Sequence, residues 1–270
     1  MEYKEIIKNS YYHDNTGMLL KGDCLEVMKN FPDHSINMIL CDLPYGTTQC
    51  KWDTIIPFEP LWEQYKRIIK DDGAIVLAAS QPFTSALIMS NPDMFKYEWV
   101  WQKTKSAGFF HAHYRPLKIH ENILVFSNGS STYSNNKNNM IYNPQMKNAD
   151  KIIKPNKGSK VRGILKEQLP KGRIAKSSKD YDGSKRFPTS IFLFSQDVKK
   201  LHPTQKPVAL FEYLIETYTN ENNIILDNAA GSCTTAIACK NTNRKWICIE
   251  QELKYCDISV DRIKNYAKTT

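Results

Sequence analysis

Apolar positions along this chain fall into two alternating patterns: short unbroken runs, and longer stretches in which they recur on one helical face. The runs Met18–Gly22 (MLLKG), Ser35–Cys41 (SINMILC) and Ala74–Ala79 (AIVLAA) read as buried strands. Cys24–Asn30 reads as a short helix. Phe58–Lys70 carries Leu61, Trp62, Tyr65, Ile68 and Ile69 at the spacing of a helix with one buried side, ended by Asp72-Gly73. A helix over QPFTSALIMS and two strands, KYEWVWQK and HENILVFS, follow. Order returns at Pro188–Phe194 and the pattern repeats through a helix (VALFEYLIETYTN), a strand (Asn223–Asp227), a small-residue turn and a short helix. A strand ending at Glu250 and a closing helix with Leu253, Cys256, Val260 and Ile263 on one face complete it. Such alternation predicts an α/β fold: a largely parallel central sheet with helices on both faces.

Between Asn128 and Phe187 the pattern gives way to polar, low-complexity pieces such as NGSSTYSNNKNN. This segment holds 14 Lys or Arg against 4 Asp or Glu, while the whole chain carries a net charge of +9. A charge confined to one segment suits contact with a polyanion; a solvated, Lys-rich insertion accounts for it equally well. The expected organisation is therefore residues 1–127 and 188–270 as two halves of one domain, with a basic insertion at 128–187. No run of eighteen apolar residues occurs, and the first residues lack the apolar core of a signal peptide, so a cytoplasmic protein without a membrane partner is expected. The seven cysteines include no CxxC pair, which argues against a zinc knuckle or a redox couple. The His111/His113 pair with His120 and Glu121 has no accompanying HExxH or Cys cluster, so no metal is expected.

Candidate chemistry gathers at strand ends. Asp42 follows an apolar run directly, and Pro44 and Gly46 turn the chain away, which is where open α/β sheets hold ligands. Asp227 and Glu250 end consecutive strands around a turn containing Gly231. A glycine turn lets the backbone approach a ligand, and an acid at the second strand end can accept from both ribose hydroxyls. GxGxxG and GxxxxGK[ST] are both absent, so an adenosine without phosphates fits better than a dinucleotide or a nucleoside triphosphate, with S-adenosyl-L-methionine the common case. A tight αβ turn beside a solvated acid remains the competing reading.

Several segments together resemble the beta class of DNA amino-methyltransferases, which act on adenine N6 or cytosine N4. Asp42–Gly46 (DLPYG) resembles the DPPY motif, Leu201–Leu210 (LHPTQKPVAL) is similar to the HPTxKP segment, and Ile225–Ala238 (ILDNAAGSCTTAIA) is similar to the cofactor loop LDPFxGSGTT. DPPY alone is a weak signal; these segments in this order are a strong one. The resemblance covers roughly residues 18–125 and 187–265.

The resemblance implies a methyltransferase fold and a base-flipping enzyme that transfers a methyl group from S-adenosyl-L-methionine to double-stranded DNA. Asp42, Leu43, Pro44 and Tyr45 would be the catalytic motif, with Tyr45 as the stacking platform. Asp23, His202, Thr204, Lys206, Asp227, Gly231, Ser232, Thr234 and Glu250 would hold the cofactor. The basic segment falls at the family's target-recognition position, so Lys154, Lys157, Lys160, Arg162, Lys171, Arg173, Lys176 and Arg186 would contact DNA, mostly its phosphates. The acid at position 42 implies adenine. Cytosine N4, or a DNA-binding homologue with weak or no catalysis, are the alternatives. The family also implies a restriction enzyme partner and a homodimer as possible companions. Three departures from its motifs stand out. Leu43 replaces a proline, and Asn228-Ala229 replace a proline and an aromatic, which is expected to loosen packing. Cys233 replaces a glycine, which is costly if the site needs positive φ. Cys41 reads as core packing, not as a nucleophile.

Overall fold

Elements of the larger of two units set out the fold. The computed structural model describes residues 3–47, 53–132, 138–149, 184–197, 201–202 and 204–266. Its contacts separate Met1–Asn143 with Ser190–Thr270 from Pro144–Thr189. The larger unit begins with helix α1 (Tyr3–Lys8), strands β1 (Tyr12–His13) and β2 (Gly17–Lys21), helix α2 (Cys24–Met28) and strand β3 (Ile36–Cys41). Helix α3 (Phe58–Ile68), strand β4 (Ile69–Ala79), helix α4 (Phe83–Ser90) and strands β5 (Phe95–Ala107) and β6 (Lys118–Phe126) follow. In the smaller unit, β7 (Lys147–Asn148) pairs antiparallel with β8 (Lys185–Arg186). The larger unit resumes with β9 (Ile191–Phe194), α5 (Val208–Tyr218), β10 (Ile224–Asp227), α6 (Thr234–Asn241), β11 (Lys245–Glu250) and α7 (Leu253–Lys264).

The sheet order is β1-β2-β11-β10-β3-β4-β6-β5-β9. Its centre, from β2 to β4, is parallel throughout. Strands β6 and β5 join antiparallel, making the sheet mixed. The ten-residue connection between β5 and β6 is too short for a helical crossover, so it closes as a hairpin. All six residues of β3 are buried, as expected for a strand covered on both faces. Met38 and Leu40 face a core containing Trp246, Leu214 and Tyr218, while Ile36, Ile39 and Cys41 face another containing Tyr65, Trp62 and Phe126.

The end of α3 differs from the periodicity for a structural reason. The helix expected to reach Lys70 stops at Ile68, because Ile69 already pairs with Ile36. The next register is Met38 with Ala74, so Lys70–Gly73 bulge out of β4. A Cβ at Gly73 would lie 2.8 Å from the Asn37 carbonyl oxygen, which makes this glycine part of the bulge and not a helix stop. Among the described residues no helix is long and apolar enough to cross a membrane.

Candidate active site

The chain leaves β3 through α3 toward β4 on one side, and leaves β10 through α6 toward β11 on the other. Since β3 and β10 are neighbours, their following loops diverge and leave a crevice at the carboxyl ends of the strands. The crevice contains a cavity of about 550 Å³, within the range for a cofactor-sized ligand. All thirteen residues singled out above for catalysis and cofactor binding line it.

At the β3 end, Asp42 is gripped from two sides. Tyr45 Oη donates to Asp42 Oδ1 at 2.7 Å, and Lys206 Nζ donates to Oδ2 at 2.6 Å. The same Nζ lies 3.3 Å from Glu121 Oε2, and Glu121 Oε1 accepts from Lys103. The result is a largely buried chain of alternating charge, Asp42–Lys206–Glu121–Lys103. Burial raises the Asp42 pKa despite the opposing pull of Lys206. Burial works against charge on Lys206 too, but Asp42 and Glu121 outweigh it and hold its pKa above the usual value. For Glu121 burial is likewise overcome, by Lys206 and Lys103, and its carboxyl titrates below the usual range. The turn itself is tied by Asp53, which accepts from Gly46 N and Thr47 N at 2.9 Å each. Tyr45 stacks on Phe83 with centroids 5.0 Å apart. Leu43 is 3% exposed, so its side chain serves the core.

Across the cavity, Glu250 Oε2 accepts from Gly231 N at 2.8 Å and Oε1 from Glu252 N at 2.9 Å. Burial raises its pKa, against those backbone donors. Asp227 accepts from Ala229 N and from the Thr235 hydroxyl, so its carboxylate holds the turn together; burial lifts it to about 6. Ser232 is bridged to the LHPTQKP segment through Gln205 Oε1 at 3.1 Å. Arg262 Nη1 donates to Ser232 O at 2.9 Å and to Thr234 Oγ1 at 3.1 Å. His202 Nδ1 meets Thr204 Oγ1 at 3.1 Å, and burial together with Lys206 lowers its pKa to about 4, which leaves the ring neutral. Asp23 caps α2, accepting from Leu25 N and Glu26 N.

Two of the motif departures resolve differently. Asn228 is 3% exposed and its Oδ1 accepts from Tyr65 Oη at 2.6 Å, so the expected loosening does not occur there: a hydrogen bond takes the place of proline packing. Cys233 does adopt left-handed backbone, with φ 54° and ψ 46°, and its side chain is completely buried. Left-handed backbone costs about 1–2 kcal/mol, and burying a small side chain returns about 1 kcal/mol. Cys233→Gly should therefore shift stability by no more than about 1 kcal/mol. Melting curves check this. Gly231 has φ 52°, and a Cβ there would meet only ordinary contacts 3.5–3.6 Å from His202, so the backbone angle, not space, is what favours glycine.

Cys41 is fully buried, and burial beside Asp227 and Asp42 pushes its thiol well above the normal range, which suits packing and not nucleophilic attack. His111 and His113 are exposed. Of the eight DNA-contact candidates, Arg186 lies on β8, its Nη1 donating to Lys185 O at 2.9 Å; the other seven lie outside the described residues. Sequence reasoning missed Lys103, Lys118, Glu121 (weighed above only as a metal ligand) and Gln205, all in the cavity lining, and Arg262 behind the loop. The available signal for the first three was a set of charged positions at the open ends of two strands.

Comparisons with known proteins point one way. A family model described as DNA methylase, of the N6/N4 type, matches residues 36–261. The type II methyltransferase M.HinfI of Haemophilus influenzae is 28% identical, covering 93% of this chain and 69% of its own length. The DNA adenine methyltransferase YhdJ of Escherichia coli (strain K12) is 26% identical over 91% and 82%. Among solved structures, the PvuII DNA methyltransferase (cytosine-N4-specific) superposes with a TM-score of 0.66 at 16% identity, covering 96% of this chain and 91% of that one. M1.HpyAVI in complex with SAM gives a TM-score of 0.58 at 23% identity, covering 91% and 99%. At such identities these structures speak to the fold.

Proposed function

This chain belongs to the DNA methylase family of N6/N4 methyltransferases, and on that premise we propose that it moves the methyl group of S-adenosylmethionine onto N6 of adenine at a specific sequence in double-stranded DNA. The observation that carries this reading is one cavity lined at the β3 end by Asp42, clamped by Lys206, and at the β11 end by Glu250 beside Gly231.

The residues suit the cofactor. Glu250 accepts two backbone N–H groups and keeps lone pairs for two ribose hydroxyls. Asn228 Nδ2 is a buried donor in the lining, with no acceptor better than the weak one at the Cys24 thiol. When bound, S-adenosylmethionine supplies an electrophilic methyl group on sulfur. The chain's own residues do the rest. An aromatic amine is a poor nucleophile because its lone pair is delocalised into the ring. Asp42 and the Leu43 carbonyl accept its two N–H groups and favour a more tetrahedral nitrogen. The negative charge of Asp42 then stabilises the cation that develops on that nitrogen. Lys206 and Tyr45 fix the carboxylate's orientation, and the Tyr45 ring, backed by Phe83, stacks the flipped base. Lysines and arginines of the basic segment, Lys154 to Arg186, contact phosphates, with Arg162 and Arg173 as candidates for guanine edges. The reading is of a cytoplasmic protein; a companion endonuclease and self-association are compatible with it but not required by the chemistry.

Cytosine N4 is the second reading, because the family model spans N6 and N4 enzymes and the same mechanism serves either exocyclic amine. Both are tested by transferring labelled methyl groups from S-adenosylmethionine to mixed-sequence duplex DNA and identifying the modified nucleoside by mass. N6-methyladenine is expected. N4-methylcytosine would move the base assignment and keep the mechanism, and unmodified DNA with bound cofactor would contradict both.

A further inference from the structure

The tip of the β5–β6 hairpin exposes aromatic surface that the fold does not use. Phe109, Phe110 and Tyr114 are 79%, 97% and 88% exposed, within six residues of one another. Neither phenylalanine has a polar atom to satisfy in water, so such a patch marks a contact surface. The tip is also ordered locally. Gly108 turns the chain with φ 86°, His111 N donates to Gly108 O at 2.9 Å, Ala112 N to Phe109 O at 3.1 Å, and Tyr114 N to His111 O at 2.9 Å. These bonds form a short 3₁₀ turn over Phe109–His111 that presents the rings in advance of any partner.

Where the tip sits narrows the partner. The ladder closes below it at Ala107 with Lys118 and continues at Gln102 with His120. That same stalk carries Lys103, Lys118 and Glu121 into the cavity lining, so the aromatic tip rises from the rim of the site that receives the base. From Lys103 to His120 there is no acidic residue, and Lys105 and Arg115, on either side of the rings in the chain, are exposed. Cations flanking apolar rings match a nucleic acid, which offers phosphates outside and base faces inside. A second copy of the chain fits worse: like charges would oppose each other, and a ten-residue tip is small beside the roughly 800 Å² per partner of a stable interface.

We propose that this tip is a wedge: Phe110, supported by Phe109, enters the duplex at the position the target base vacates and stacks on its former neighbours. The proposal rests on the duplex-DNA reading above and names the surface that holds the gap open. Arg115 and Lys105 sit on the flanking phosphates.

The test compares a fully paired duplex with the same duplex carrying abasic positions, for the parent, the Phe109→Ala/Phe110→Ala double variant and Phe110→Tyr. A preformed gap removes the work of opening the stack, so the parent should bind the abasic duplex at least tenfold more tightly. The double variant should lose that preference to within twofold while keeping its salt-dependent binding, and Phe110→Tyr should retain it. On paired DNA that the parent methylates, the double variant should be at least tenfold slower, with most of the rate restored when the target base faces an abasic site. A parent without the preference, or a double variant that keeps it, overturns the wedge. So does a double variant that changes only the mass of the protein in solution, which would make the tip a self-association surface. The binding arm needs no methyl transfer. A parent that prefers the gap through these rings yet transfers no methyl group overturns the proposed reaction and supports the wedge.

Discussion

Asp42→Asn is expected to slow methyl transfer by about 10²- to 10³-fold, the usual cost of removing one preorganised electrostatic partner of a transition state, and to leave S-adenosylmethionine affinity within about twofold. The substitution keeps the shape and one acceptor oxygen, so Tyr45 or Lys206 can still be accommodated. It removes the negative charge that, in the proposed reaction, faces the developing cation. Glu250 and Gly231, on the far side of the cavity, are untouched. Single-turnover rates with cofactor in excess, beside a calorimetric titration of the same protein, separate the two quantities. A variant that transfers methyl groups at the parent's rate would remove Asp42 from the chemistry.

Lys206→Met should have the second large effect, on stability as well as on rate. The ammonium is the shared partner of two largely buried carboxylates, 2.6 Å from Asp42 and 3.3 Å from Glu121. Breaking a buried pair by removing one member costs about 3–5 kcal/mol, because it strands the charge that remains. A clear fall in melting temperature follows, along with a change in pH dependence. Burial already raises the Asp42 pKa, and Lys206 is the largest influence pulling it down. Without Lys206 the pKa rises further. The ionised carboxylate proposed to accept the amine then forms only at higher pH, so the acid limb of the rate profile should move upward. An unchanged acid limb, measured at saturating cofactor, would mean that Asp42 does not govern it.

Asp42 and Lys206 were each legible from sequence because each sits in a motif, but their contact was not. They are 164 residues apart in the chain and meet only because α5 follows the LHPTQKP segment back across the sheet. Glu121 was harder to see. In HENILVF it is a lone acid opening an apolar strand, and its meaning depends on the antiparallel register that sets it opposite Trp101, two residues from Lys103. The motif resemblance places Lys206 among the residues that would hold the cofactor, and the structure adds its ion pairs with Asp42 and Glu121. The main elements were readable because buried strands leave unbroken apolar runs and amphipathic helices leave periodic ones. Helix α1 and strand β1, six and two residues long, are too short to carry either signal. The bulge at Lys70–Gly73 was misread as a helix end because Asp-Gly punctuates both in the same letters. At Asn228 the family's proline set the expectation, while the hydrogen bond from Tyr65 depends on a partner 163 residues away.

The central claim is that one cavity brings a flipped base to Asp42 while the cofactor's ribose rests on Glu250. The most direct measurement is a structure of the chain with S-adenosylhomocysteine and a duplex that it methylates. The account predicts the target base out of the stack against Tyr45, its amino nitrogen about 3 Å from Asp42 and from the Leu43 carbonyl, and both ribose hydroxyls on Glu250. A base still stacked in the duplex, or an adenosine bound away from Glu250, would contradict it.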